Sequence, residues 1–217
     1  EVGEAGRASG VPRGEVFITT KLWNDDQGYD TTLRAFDASA KDLGVDYVDL
    51  YLMHWPVPGK RRDSWRAMEK LHRDGRCRAI GVSNFMPRHL DDLIEVAEIR
   101  PAVNQFEIHP FLQQRDAARR SRELGIVVEA YSPFAKGQKL DDPRLVAIAT
   151  EVGRTPAQVV IRWSLQHGNV VLPKSANPKR IVENASVYDF ELSVDVMTKI
   201  DALEDGFRSA WDPTTVA

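Results

Sequence analysis

Three features of this 217-residue sequence predict an α/β fold with a parallel sheet, closed as a (β/α)8 TIM barrel. Short apolar or β-branched runs alternate with helical patterns six times, as parallel strands covered by helices require. Polar side chains fall at or just past the carboxyl end of each of the six strands. A barrel gathers all such ends around one mouth, whereas an open sheet gathers only those near a switch point. Third, no Gly-x-Gly-x-x-Gly follows any strand, so a doubly wound dinucleotide fold lacks its fingerprint. Six strands are two short of the full barrel, and the chain is below the usual barrel length of about 250 residues.

The elements follow in order. "EVGEAGRASGVP" opens the chain as a helix. Strands are expected in "EVFITTK" (15–21), "YVDLYLMH" (47–54), "CRAIGVSN" (77–84), "AVNQFEI" (102–108), "GIVVEAYS" (125–132) and "NVVLPKS" (169–175). Helices are expected over Thr31–Leu43, Ser64–Arg73 and Arg115–Leu124, each stopped by a glycine (Gly44, Gly75, Gly125) that accepts the left-handed C-cap. In "RTPAQVVIRWSLQHG", Thr155 caps, Pro156 opens and Gly168 ends a helix, and Ser193 caps another. One domain over 1–217 is expected.

Composition narrows the function. The net charge is −3, with 29 basic and 32 acidic residues dispersed along the chain, so no basic stripe invites nucleic acid or an anionic membrane. The single cysteine, Cys77, excludes an internal disulfide and a cysteine metal cluster. No apolar run approaches the roughly 20 residues of a membrane helix, and a cytoplasmic location is the default expectation.

The rim residues carry the chemistry. Lys21 is either a lysine reaching solvent or a cation that lowers the pKa of a neighbouring acid; an amine for Schiff-base chemistry is the third option. His54, in "LYLMHWP", is a hydrogen-bonded structural histidine or a catalytic one, and sharing a rim with Lys21 favours catalysis. His109 is its competitor, since His72 and His89 fall on charged helical faces and His167 near a helix end. Ser83, Asn84 and Gln105 either satisfy loop backbone or together recognise a carboxamide. Tyr131 is rim packing or a plate on which a planar ring stacks. The strongest local signal is "VVLPKSANPKRIVEN" (170–184). Asn177 caps and Pro178 opens a helix whose first turn offers N–H groups and a positive dipole end, with Lys174, Ser175 and Arg180 around it: a phosphate site.

Six segments, "FITTKLW", "DLYLMHWP", "AIGVSNF", "VNQFEIHP", "EAYSP" and "VLPKSANPKRIVEN", resemble in order those of the aldo-keto reductases, especially members of the 2,5-diketo-gluconate reductase type. The resemblance implies a barrel that binds NADPH and reduces aldehydes or ketones of small molecules without metal or flavin. It makes Lys21 the lysine that tunes the catalytic acid and His54 the residue that orients the carbonyl. Ser83, Asn84 and Gln105 become the carboxamide clamp and Tyr131 the stacking plate. Lys174, Ser175 and Arg180 would hold the 2′-phosphate, Glu183 and Asn184 would reach the adenine, and Ser132 with "PFAKGQKL" would follow the pyrophosphate. In that loop Phe134-Ala135 replaces the family's Leu-Gly. Trp23, Trp55 and the tail with Phe207 and Trp211 would wall the substrate pocket, a wall that sets size preference and names no substrate.

The family's proton-donating tyrosine and its aspartate belong to a segment upstream of "EVG", as do two barrel strands. The 217 residues alone are therefore expected neither to fold stably nor to reduce carbonyls, whereas the whole protein is expected to be an active monomer. The connection "WPVPGKRRDSW" is about two residues shorter than in the family, so residues near Lys60 are expected to be missing too. A cofactor-binding regulatory barrel without turnover, and a Schiff-base lyase using Lys21, are the alternatives.

Overall fold

The computed structural model describes residues 1–216. Its chain forms two compact units.

The first unit comprises residues 1–104, 123–126 and the residues from Pro213 onward. It begins with helix α1 (Val2–Ala8), a 3-10 turn at Arg13–Glu15 and strand β1 (Thr19–Leu22), followed by α2 (Tyr29–Leu43), β2 (Val48–Met53), α3 (Arg61–Arg73), β3 (Cys77–Ser83), α4 (Pro87–Ile94) and the start of β4 (Val103–Glu107). The strands lie in the order β1-β2-β3-β4, and the first two pairs are parallel, with Lys21 opposite Leu52 and Leu52 opposite Gly81.

All six residues of β2 are buried, which is why its sequence is a nearly continuous apolar run. Tyr51 and Met53 join Phe36 of α2 and Trp65 and Met68 of α3 in the larger apolar cluster, while Leu50 and Leu52 pack with Val103 in a smaller one. Gly81 sits where strands crowd: a Cβ there would lie 2.7 Å from both a Leu52 methyl and the Val103 carbonyl oxygen. Helix α2 ends as expected, with Gly44 at φ 67° and its amide donating to the Ala40 and Lys41 carbonyls.

The second unit comprises residues 105–122 and 127–212. It holds the rest of β4, most of α5 (Arg115–Glu123), β5 (Val127–Tyr131), a 3-10 turn at Ala135–Gly137, α6 (Pro143–Val152), α7 (Pro156–Gln166), β6 (Val170–Val171), α8 (Pro178–Ala185) and α9 (Val194–Asp201). Strands β5 and β6 pair in parallel, Glu129 opposite Val170. The start of α7 is a capping box: Gln158 N–H donates to Thr155 Oγ1 at 3.3 Å, and Thr155 N–H to Gln158 Oε1 at 3.1 Å.

Several boundaries differ from expectation for identifiable reasons. The first strand starts only at Thr19, because the chain around Arg13 turns instead, its guanidinium donating to the Val16 and Tyr47 carbonyls. The last strand pairs over two residues, since Leu172 N–H still reaches the Ala130 carbonyl but Pro173 has no N–H to continue the ladder. Helix α3 begins at Arg61 rather than Ser64; the Ser64 hydroxyl donates back to the Lys60 carbonyl and accepts from Gly28 N–H inside the fold. Helices α4 and α6, unanticipated, each start with a proline at the first position, the same signature that marked α7 and α8. Among the described residues no helix is long and apolar enough to cross a membrane.

Candidate active site

In the first unit, the carboxyl ends of β1, β2 and β3 bring Lys21, His54, Ser83 and Asn84 together. The ladder continues past β2 through His54 N–H, which donates to the Leu22 carbonyl at 3.2 Å. The imidazole is half-buried, its ring centroid 4.9 Å from that of Trp23. Burial, with the Lys21 cation nearby, pulls its pKa from 6.5 down to about 4. His54 is therefore a neutral imidazole across the physiological range, and its Nδ1 is buried without a hydrogen-bond partner. Asn84, at φ 63°, turns back so that its Nδ2 donates to the His54 carbonyl at 3.0 Å and to Ser83 Oγ at 3.1 Å. This ties the ends of β2 and β3 to one another.

Lys21, Trp23, Asp26 and Arg34 line a cavity of about 440 Å³. Trp23 is 51% exposed, whereas Trp55 is 9% exposed and its carbonyl accepts from Gln27 Nε2 at 2.7 Å, so the two expected wall residues differ: one is rim and one is core.

The second unit holds the other group. Ser132, Lys174, Ser175, Arg180, Glu183 and Asn184, from three separate stretches of the β5–α8 region, line a single cavity of about 630 Å³. Ser132, Ala135 and Lys136 on its loop have φ values of 48°, 48° and 54°. Ala135 holds a backbone conformation that glycine would adopt without strain; the turn is held by Ala135 N–H to the Ser132 carbonyl (2.8 Å) and Gly137 N–H to the Phe134 carbonyl (2.7 Å).

The helix start differs from expectation in one respect. Asn177 Oδ1 accepts from Lys179 N–H at 2.9 Å and Arg180 N–H at 3.4 Å, and Ser175 Oγ accepts from Asn177 N–H at 3.1 Å. Two of the amides expected to face an anion are thus already capped. The positive character of this end rests on Lys174, Arg180 and the dipole rather than on free N–H groups.

Gln105 and Tyr131 belong to this unit as well. The Gln105 amide donates to Glu129 Oε2 at 2.7 Å, both side chains being buried. Tyr131 ends β5, and burial, reinforced by the negative charge of Glu107, raises its phenol well above the ordinary value. Of the carboxy-terminal wall, Trp211 is 74% exposed, whereas Phe207 packs 6.4 Å from the His109 ring under the Lys139 ammonium at 4.6 Å.

His109 is 1% exposed, and its Nε2 contacts Glu107 Oε1 at 3.2 Å, which identifies it as an internal partner of that carboxylate. His89 is fully buried in α4 rather than on a charged surface: Met86 N–H donates to its Nδ1, and its Nε2 meets the Val216 carbonyl. Sequence reasoning missed Glu107, Glu129 and Lys136. The available signal was alternation on β4: Glu107 shares a strand face with Gln105, and a carboxylate in a buried strand demands partners.

The second unit thus carries a cavity lined by Lys174 and Arg180, and the first a neutral histidine with a lysine cation nearby. Residues 1–205 match the aldo/keto reductase family model, and the chain belongs to that family. It is 54% identical over 217 residues to an aldo-keto reductase of Mycolicibacterium smegmatis, covering 99% of this chain and 79% of the relative. It is 52% identical over 212 residues to the glyoxal reductase of Bacillus subtilis, covering 98% and 77%. Among solved structures, a variant of Gox0644 in complex with NADPH superimposes with a TM-score of 0.93 at 44% identity, over 100% of this chain and 79% of that one. Family membership agrees with the (β/α)8 class expected from the sequence.

Proposed function

We propose that this protein reduces the aldehyde or ketone group of a small molecule with NADPH. The observation that carries the proposal is the 630 Å³ cavity, in which Lys174, Ser175 and Arg180 gather with Glu183 and Asn184. Two cations and a helix start suit a 2′-phosphate, and a guanidinium fork matches phosphate oxygens in a way that favours NADPH over NADH. The adjoining carboxylate and carboxamide, Glu183 and Asn184, suit the amino edge of an adenine. NADPH, when bound, supplies the hydride.

In the second unit Tyr131 suits the face of a nicotinamide and Gln105 a carboxamide, and in the first unit Ser83 and Asn84 each suit a carboxamide by their chemistry. His54 binds the carbonyl oxygen of the substrate. Because its Nδ1 is enclosed, the tautomer that suits this role carries its proton on Nε2, giving a neutral donor that does not compete for the proton being delivered. Lys21 is the cation that favours proton release from an adjacent acid. Trp23, Trp55 and Trp211 are each assigned to the substrate pocket, with Trp55 the buried one of the three. On the same reading the protein is a single-domain cytoplasmic monomer that needs no metal.

The test is NADPH consumption by the intact protein with a panel of small aldehydes and ketones, glyoxal included. Oxidation that requires a carbonyl and is faster with NADPH than NADH is expected. NADPH binding without turnover on any carbonyl would return the regulatory alternative, and absence of NADPH binding would overturn the proposal.

A further inference from the structure

Glu107 has no part in the reaction proposed above, yet it is 1% exposed and hydrogen-bonded through both oxygens. Oε1 accepts from Ser209 N–H at 2.9 Å, from the Ser209 hydroxyl and from His109 Nε2; Oε2 accepts from Ala210 N–H at 3.1 Å. The carboxylate therefore pins the carboxy-terminal segment at two consecutive amides. On the other side of that segment, Lys136 Nζ donates to the Ser209 carbonyl at 2.5 Å. Ser209 C=O and Ala210 N–H are the two ends of one peptide group. That group stands between an ammonium and a carboxylate, each polarising the end it touches, so the two bonds strengthen one another.

Lys136 lies on the Ser132–Leu140 loop that forms one wall of the 630 Å³ cavity. Ser132, Ala135 and Lys136 on this loop hold left-handed backbone angles, a conformation that side-chain-bearing residues keep only when their surroundings impose it. A second tie from the same loop, Lys139 Nζ to Asp205 Oδ2 at 3.0 Å, reaches the same carboxy-terminal segment.

We propose that Glu107 and Lys136 are positioning residues: through the Ser209–Ala210 peptide they latch the loop in the shape that lines the cavity, and the latch sets how long NADPH is retained. This inference rests on the cofactor reading above. An alternative use of Lys136, direct contact with a cofactor phosphate, predicts no dependence on Glu107.

The test is a double-mutant cycle on the NADPH dissociation rate of the intact protein, measured by stopped-flow displacement. Lys136→Met, at an exposed position, and Glu107→Gln are each expected to speed release about five- to tenfold, and the double variant no more than either alone. Ser209→Ala, which removes only the hydroxyl donor, gives a second arm should Glu107→Gln fail to fold. It is expected to speed release about threefold in the wild-type background and to have no effect beside Lys136→Met. Effects that multiply, or unchanged release in Lys136→Met, overturn the latch while leaving the cofactor reading intact. A wild-type protein that does not bind NADPH overturns both.

Discussion

If Arg180 holds the 2′-phosphate as proposed, replacing it with alanine isolates the phosphate component of cofactor recognition. The side chain is exposed and lines the 630 Å³ cavity near Lys174, whereas the start of α8 depends on Asn177 accepting from the backbone amides of Lys179 and Arg180. The truncation therefore leaves the cap in place. A hydrogen bond to a charged group contributes about 1.5 to 3 kcal/mol, and an exposed setting belongs at the lower end. A loss of about 1.5 to 2 kcal/mol is roughly a ten- to thirtyfold rise in the NADPH dissociation constant, at 1.4 kcal/mol per factor of ten. NADH has no 2′-phosphate for Arg180 to meet, so its constant is expected to change by less than about twofold, within the noise of a truncated surface side chain. Fluorescence titration of both cofactors against wild type and Arg180→Ala measures the difference. Equal weakening for the two cofactors would remove Arg180 from the phosphate and assign it to adenine packing or to the fold.

Four further outcomes are expected. His54→Ala is expected to lower kcat roughly a hundredfold, the scale for loss of a donor to a developing oxyanion, with NADPH affinity unchanged. Because the folded pKa of His54 is about 4, kcat is expected to show no inflection near 6.5; one that vanishes in His54→Ala would contradict the neutral-donor role. Burial alone would raise the Glu107 carboxyl, but its bonds from His109 and Ser209 hold it at about 2, below its ordinary 4.5. The ionised group thus adds up to about 3 kcal/mol, present above pH 4.5 and lost as pH falls towards 2. The stability gap between wild type and Glu107→Gln in urea is accordingly expected to narrow from pH 7 to pH 3, and a constant gap would refute the ionised assignment. Gly81→Ala is expected to destabilise by about 2 to 3 kcal/mol, because its Cβ meets the Val103 carbonyl, a backbone atom that cannot swing aside. An unfolding midpoint equal to wild type would show that β3 and β4 have room to separate.

The strand and helix alternation was legible because buried parallel strands and capped helices write their own patterns: the run at β2, the glycine after α2 and the Thr155-Pro156 start of α7 all stand where the residues place them. Rim residues were legible because a polar group after an apolar run is conspicuous. What stayed hidden was pairing across long separations. Nothing local to Glu107 announces a bond to Ser209, 102 residues away, and nothing local to Gln105 announces Glu129. His89 misled in part for the same reason: charged residues flank it, but its Nε2 meets the Val216 carbonyl 127 residues away, while its Nδ1 accepts from the nearby Met86 amide. The Asn177 cap shows the reverse failure, in which the motif was recognised but its donors were counted as available to a ligand when the cap itself uses them.

The contrast between Trp23 and Trp55 bears on how such a protein diversifies. Trp55 is embedded, its carbonyl fixed by Gln27, whereas Trp23 stands half in solvent, and in the second unit Trp211 is more exposed still. Substitutions at well-exposed positions cost little stability compared with those in a packed strand. On the proposed reading of these indoles as substrate walls, the range of accepted carbonyl compounds would drift by single changes at them while the histidine, the lysine and the strands are left untouched. Directed evolution for a new substrate would do best to begin at Trp23 and Trp211 and to leave Trp55 alone.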